Sequence, residues 1–152
     1  TCAQLAILRT EEDRPTHACL SPDGRRALVG CWYGTVLLWD ISSGKVRRWQ
    51  AHPSHLSSVA FSPDGMRILT ASANPGARLW DTETREELLT LDAPEGVSAS
   101  FSADGQWIVT ASTDGTARIW PVDPLQRARD LAPREFTDAE REHYGLAPKR
   151  KP

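Results

Sequence analysis

The sequence predicts an all-β fold built from small, stacked antiparallel sheets, and three observations support this prediction. A Ser-x-Asp-Gly turn occurs at 21–24, 62–65 and 102–105. A Trp followed by Asp or Pro occurs with the same spacings of 41 and 40 residues, at Trp39, Trp80 and Trp120. Short apolar runs lie between these landmarks and are separated by turn residues, which is the pattern of an all-β repeat array.

The second repeat shows the predicted elements in order. Strands are expected at 56–61, 67–72, 77–81 and 86–91. The turns between them contain Pro63-Asp64-Gly65, then 73–76, then 82–84. Pro presets φ and Gly permits positive φ, so these segments favour tight turns over continued strand.

Several predicted strands are apolar on both faces. Ile68 and Leu69 are neighbours and must point to opposite sides of their sheet, and residues 36–39 leave no polar side at all. A small sheet of this kind must be covered on both faces. The pattern therefore indicates blades that stack face to face, as they do in a β-propeller.

The chain resembles the WD-repeat family over residues 3–131, through its Phe-Ser-Pro-Asp-Gly, Ser-x-Asp/Asn-x and Trp-Asp motifs. The resemblance implies four strands per blade. It also implies that four side chains in each blade form a hydrogen-bonded set. These are a His before the first strand, a Ser or Thr in the second strand, an Asp in the turn after the second strand, and the Trp of the third strand. Such a set gives a buried indole N–H its acceptor.

The resemblance places this set unevenly in the three repeats. The assigned residues are His52, Ser72, Asn74 and Trp80 in the second repeat, Ser112, Asp114 and Trp120 in the third, and Trp39 in the first, where Cys31 and Tyr33 hold the Ser and Asp positions. No repeat carries the full set. We therefore expect incomplete networks and blades less rigid than those with every member.

The repeats suggest a partial propeller with a C-terminal tail. We assign residues 1–131 to the blades and 132–152 to the tail. Within the first part, 3–9 is an orphan outer strand, about 14–50 is the first blade, 52–91 the second and 95–131 the third. A capping box at Thr137–Glu140 predicts a short helix to about His143.

Three repeats cannot close a ring, since propellers have four to eight blades. Three arrangements remain open: the C-terminal part of a longer protein, association of copies into a ring, or an open arc. We expect the first, in a bacterial protein whose repeats follow a kinase or a nucleotide-hydrolysing module. The open arc is least favoured because it exposes apolar blade faces.

Composition excludes several classes of function. The net charge of −2 gives no electrostatic reason to expect nucleic acid or a membrane surface as partner. No apolar run is long enough to span a bilayer. Three cysteines without close pairing do not suggest a disulfide framework, so we expect a reducing, cytoplasmic location.

No catalytic or cofactor chemistry is predicted. His52 and His55 form an H-x-x-H pair and Glu140 and His143 an E-x-x-H, and either could ligate a metal in other surroundings. A structural role for His52 in the hydrogen-bonded set of its repeat is the better interpretation. The E-x-x-H motif lacks the partner helix that a two-metal site would need. There is no Gly-rich phosphate loop, and no nucleophilic triad can be assembled.

The predicted function is that of a non-catalytic protein-interaction scaffold; the alternative is a sensor module that regulates a linked enzyme. Partners in this family often dock where the loops before the first strand and after the second come together. The expected binding residues are Arg14, Thr16, Trp32, Tyr33, His55, Ser57, Ala73, Asn74, Glu95, Ser98 and Thr113. Trp32 and Tyr33 are of the types enriched in binding hot spots, although Trp32 could equally pack on a neighbouring blade.

Overall fold

A computed structural model of the chain describes residues 6–10, 13–73, 76–93 and 98–131. Over these residues the fold consists of three antiparallel sheets of three or four strands and one short helix. The all-β prediction of a partial propeller is confirmed. The chain divides into two compact units after Trp120, with all three sheets lying essentially in the first unit and the helix in the second.

Blade 1 is a four-stranded sheet with the strands in chain order. It comprises β1 (Pro15–Leu20), β2 (Arg26–Cys31), β3 (Thr35–Asp40) and β4 (Val46–Gln50). In the pairing of β2 with β3, Leu28 lies opposite Leu38. Both side chains are buried on the same face of the sheet.

Blade 2 repeats this arrangement. Its strands are β5 (Leu56–Phe61), β6 (Arg67–Ser72), β7 (Ala77–Asp81) and β8 (Glu87–Leu91). The first three have the bounds expected from the sequence, and the fourth begins one residue later. In the pairing of β6 with β7, Ile68 lies opposite Trp80.

Blade 3 differs from its predicted extent. Its described strands are β9 (Ser98–Phe101), β10 (Trp107–Ala111) and β11 (Ala117–Pro121), in the order β11-β10-β9. The described residues up to 131 contain no fourth strand of this blade, and α1 (Pro124–Leu131) follows β11 where the third blade was expected to end.

Local capping explains this helix. The carboxylate of Asp123 accepts the backbone N–H of Gln126 over 2.8 Å, and Pro124 occupies the first helical position. The sequence placed a helix later, at 137–143, and that segment lies outside the described residues.

The Ser-x-Asp-Gly turns reverse the chain between the first two strands of every blade. In blade 1, the Ser21 hydroxyl donates to Asp23 over 2.6 Å and accepts the backbone N–H of Arg26. Gly24 has a φ of +69°, which an L side chain rarely adopts. The same bonds recur around Ser62 and Ser102, so each motif forms the turn its sequence predicts.

Blades 1 and 2 stack through an apolar cluster. Leu28 and Leu38 of blade 1 pack with Phe61, Ile68 and Trp80 of blade 2. Each fully buried aliphatic side chain contributes roughly 1.5–3 kcal/mol relative to exposure. On the other face of blade 2, strand β9 lies against β5 and β6, so blade 2 is covered on both sides.

Residues 6–10 were expected to belong to an orphan strand, and the structure assigns no strand to them. Leu8 nevertheless packs against Val29, Cys31 and Leu37, on the face of blade 1 turned away from blade 2. Through Leu8, the segment therefore covers an apolar patch of blade 1. The rest of the expected strand, 3–5, lies outside the described residues.

Candidate protein-interaction surface

A buried hydrogen-bond network holds the third strand of blade 2 in register. The indole N–H of Trp80 donates to Thr70 Oγ1 over 2.9 Å, and His52 Nε2 lies 2.8 Å from the same oxygen. Thr70 and His52 are at most 1% exposed. One hydroxyl therefore serves both rings.

The prediction that Ser72 accepts the Trp80 indole proton is wrong. Trp80 lies opposite Ile68, and Thr70 is the diagonal neighbour on the same face. Ser72 lies four residues along the strand from Ile68, about 13 Å away, which is beyond the reach of the indole. Asn74, the predicted Asp substitute, lies outside the described residues.

The same correction applies to blade 3. Trp120 donates to Thr110 over 2.9 Å, in place of the predicted Ser112. Asp114 instead accepts hydrogen bonds from Thr116 and Arg118, which hold the pKa of its carboxyl well below its usual range. The third repeat has no His before its first strand, so nothing there corresponds to His52 of blade 2.

In blade 1 the position ten residues before Trp39 is Val29, which offers no hydroxyl. Cys31, predicted at the Ser position, is buried in the apolar patch with Val29 and Leu37. Burial raises the pKa of its thiol to about 11, which keeps the thiol protonated and unreactive at neutral pH.

The β2–β3 turn of blade 1 presents two aromatic side chains to solvent. Trp32 is 50% exposed and Tyr33 is 55% exposed. Two hydrogen bonds hold the backbone of this turn: the Trp32 N–H donates to Arg14 O over 2.8 Å, and the side-chain Nε2 of Gln50 donates to Tyr33 O over 2.6 Å.

Trp32 reaches across the junction between blades. Its ring stacks on His55, with centroids 5.1 Å apart and an angle of 19° between the planes. His55 directly precedes β5 of blade 2. The indole therefore contacts both blades, as expected for packing on a neighbouring blade, while half of its surface stays accessible.

The remaining predicted binding residues are placed unevenly. Thr16 donates to the carbonyl of Gly30 and lies within hydrogen-bond distance of that of Leu56. The exposed ones are Arg14, Thr16, Ser98 and Thr113; Ser57 and Ala73 are half-buried. Glu95 and Asn74 lie outside the described residues. Arg14, Trp32 and Tyr33 thus come together at one end of blade 1, beside His55.

The two histidines of the H-x-x-H motif have separate contacts. His52 is buried against Thr70, whereas His55 stacks on Trp32. Among the described residues, no group of three His, Cys, Asp or Glu side chains could hold a metal ion. The E-x-x-H motif at 140–143 lies outside them. No helix in the same part of the chain is long and apolar enough to cross a membrane.

Sequence reasoning missed two kinds of residue. Thr70 and Thr110 each lie ten residues before a Trp, but Ser72 and Ser112 keep an equally constant spacing of eight, so spacing alone did not distinguish them. The ion pairs of Glu83 with Arg26 and Arg47 join blade 2 to blade 1. The sequence contains no signal for these ion pairs, because they depend on how blade 2 is rotated against blade 1.

Known proteins share these repeats. Autophagy-related protein 16 of Arabidopsis thaliana is 41% identical over 76 residues, which cover 49% of this chain and 15% of that protein. Angio-associated migratory cell protein of Homo sapiens is 37% identical over 67 residues, covering 41% and 15%. Protein groucho of Drosophila melanogaster is 31% identical over 70 residues, covering 45% and 10%. The chain thus matches only a small part of each relative.

A similar fold is found in the crystal structure of RRP9 WD40 repeats. It has a TM-score of 0.72 and 20% sequence identity, and the match covers 77% of this chain and 38% of that one. The family model for the WD domain, G-beta repeat, matches residues 3–40, 43–81 and 85–121. The chain therefore belongs to the WD domain, G-beta repeat family.

Proposed function

We propose that the chain is a non-catalytic protein-interaction scaffold that binds a partner through the surface centred on Trp32. The observation that carries this proposal is the cross-blade stack of Trp32 on His55, which leaves the indole half exposed. Exposing the apolar surface of an indole to water is unfavourable in free energy. A partner that covers Trp32 would remove this surface from water and gain that free energy on binding.

The surface has the composition of a binding hot spot. Trp, Tyr and Arg are enriched in such sites. Trp32 and Tyr33 are exposed in this turn, and the exposed residue Arg14 bonds to it through its backbone carbonyl. Preorganisation adds to affinity, since the stack on His55 and the hydrogen bonds of the turn limit the entropy lost on binding. The partner is a protein or peptide; we expect neither nucleic acid nor membrane as ligand.

A second surface supports the same function. The central apolar positions of one blade face are Leu28 and Leu38 in blade 1, Leu69 and Leu79 in blade 2, and Val109 and Ile119 in blade 3. The first four are at most 3% exposed, whereas Val109 is 40% and Ile119 71% exposed. Phe101 and Trp107 flank this open depression of blade 3.

The repeat itself indicates what covers this face. In blade 1 the equivalent face receives Phe61, Ile68 and Trp80 of the following blade. The occupant proposed for blade 3 is therefore the Trp-bearing face of another WD blade. In a longer polypeptide that blade would be part of the same chain; the 152-residue chain in isolation would use a second copy.

Peptide selection tests the binding proposal. A displayed random-peptide library is selected on the wild-type chain, and the bound peptides are mapped by amide hydrogen exchange. Protection should concentrate at residues 32–34 and just before β5, where Trp32 and His55 meet. Selected peptides that leave both segments unprotected would contradict the proposal, as would a library that yields no binder.

A further inference from the structure

A second cleft lies at the opposite end of blade 1 from Trp32. It is formed where the β1–β2 and β3–β4 turns of blade 1 meet the β7–β8 turn of blade 2. Strand β2 runs from Arg26 at this cleft to Cys31 beside Trp32, so about 20 Å separates the two surfaces. A ligand in the cleft would not touch the Trp32 surface.

Two guanidinium groups converge on one carboxylate in this cleft. Arg26 Nη1 lies 2.6 Å from Glu83 Oε1, and Arg47 Nη1 lies 3.2 Å from Glu83 Oε2. Arg47 also donates to the backbone carbonyl of Glu83. Both arginines belong to blade 1 and Glu83 to blade 2. The space between the guanidinium groups is therefore already shaped to hold two oxygens of an anion.

Two further cations line the same cleft. Arg25 and Lys45 face it from the two turns of blade 1. Within the described ranges, neither side chain forms an ion pair. The cleft is thus lined by four cations and three carboxylates, and two of these cations, Arg26 and Arg47, hold Glu83.

The other carboxylates of the cleft bond to their own turns. Asp23 accepts the Ser21 hydroxyl and the backbone N–H of Arg25. Asp40 accepts the hydroxyls of Ser42 and Ser43 and a backbone N–H. Of the described carboxylates that line this cleft, Glu83 is the one that pairs with the arginines, and its side chain is 66% exposed. It is the group that an incoming anion would displace.

We propose that this cleft binds a phosphate group, which displaces the Glu83 carboxylate from Arg26 and Arg47. Planar guanidinium groups bind phosphate oxygens in pairs, and a phosphate offers more charge and more acceptor oxygens than a carboxylate. Arg25 and Lys45 would neutralise the additional charge. Because Glu83 joins blade 2 to blade 1, phosphate binding would also release that link.

Titration of the folded chain with inorganic phosphate, at constant ionic strength and with chloride as the reference anion, tests this site. Glu83→Gln removes the internal competitor and should bind phosphate about tenfold more tightly than wild type, the effect of one charge-assisted contact. In the Glu83→Gln background, Arg47→Gln should weaken binding by a similar factor. The matched control is Arg67→Gln, which removes the arginine equivalent to Arg26 from blade 2.

The site is refuted if Glu83→Gln binds phosphate no more tightly than wild type, or if Arg67→Gln weakens binding as much as Arg47→Gln. Thermal unfolding of each variant checks that the fold is retained. A phosphoserine peptide distinguishes the source of the phosphate. If the peptide binds more tightly than inorganic phosphate, the cleft is assigned to a phosphorylated protein. If the two bind with equal affinity, the cleft is assigned to the free anion.

Discussion

The Trp80 indole N–H donates to the hydroxyl of Thr70 over 2.9 Å, inside the core between two blades. His52 lies on the same oxygen, at 2.8 Å. Trp80 also meets Trp49 of blade 1 edge to face, with ring centroids 6.2 Å apart. Thr70 therefore fixes the indole of Trp80, which packs against both blades. The Thr70 hydroxyl links the register of β6 and β7 to the stacking of blade 2 on blade 1.

Thr70→Val should destabilise the chain by about 2 kcal/mol, because it leaves a buried indole N–H without its acceptor. Thr110→Val is the matched control in blade 3. Its Trp120 is half-buried, so water can replace the lost hydroxyl, and the cost should be smaller. Urea unfolding monitored by tryptophan fluorescence measures both. Equal losses would show that the His52 network adds nothing.

Gly34→Ala should be among the most damaging single changes. Gly34 has a φ of +79°, and an added Cβ would overlap the carbonyl oxygen of His52. Gly44→Ala is the control, since Gly44 has a φ of +71° with open space around it. We expect a loss of about 1–2 kcal/mol for Gly44→Ala from backbone strain alone, and a clearly larger loss for Gly34→Ala. Similar unfolding midpoints would contradict the close approach at Gly34.

Acid should destabilise the fold through its turns. The pKa is lowered for the turn aspartates Asp23, Asp40, Asp64, Asp81, Asp104 and Asp114. Hydrogen bonds from the Ser43 N–H and from the hydroxyls of Ser42 and Ser43 lower that of Asp40 to about 2.

An unfolded Asp titrates near pH 3.9, so the unfolded chain takes up these protons first as the pH falls. The stability that the turns contribute is present above about pH 4 and is lost as the pH falls toward 2. Urea midpoints measured across this window should fall steeply. Asp40→Asn should flatten the dependence, and an unchanged slope in that variant would contradict the assignment.

The open face of blade 3 should make the isolated chain self-associate. Sedimentation velocity is expected to show a mass that rises with concentration for wild type and a monomer for Ile119→Glu. The thermal midpoint of Ile119→Glu should stay close to wild type because Ile119 is 71% exposed. Leu79→Glu, at the equivalent position in blade 2 with 1% exposure, should prevent folding. A wild-type monomer at every concentration would contradict the proposed face.

The repeat pattern was sufficient to predict most of the fold. Turn residues such as Pro63 and Gly65 act locally, so the strand bounds of blade 2 could be predicted almost to the residue. The helix after β11 also had a local sequence signal, because Asp123-Pro124 is typical of a helix start. We did not predict this helix because a fourth strand of blade 3 was expected there.

The contacts of the site were less predictable. Residues 68, 70 and 72 share one face of β6, and only the register with β7 shows that Thr70, not Ser72, lies within reach of Trp80. Predicting the stack of Trp32 on His55 would require knowledge of how blade 2 is rotated against blade 1. The periodicity of the strands carries no information on that rotation.

The central claim, that the chain binds a protein through the surface around Trp32, is tested most directly by the affinity of one selected peptide for wild type and for Trp32→Ala. We expect the variant to bind at least about tenfold more weakly, as for a hot-spot Trp. Its thermal midpoint should be nearly unchanged. The control is Met66→Ala, because Met66 is 69% exposed and lies in the β5–β6 turn, at the end of blade 2 away from His55; this variant should bind like wild type. Unchanged affinity, or a large fall in the midpoint that assigns Trp32 to the core, would contradict the claim.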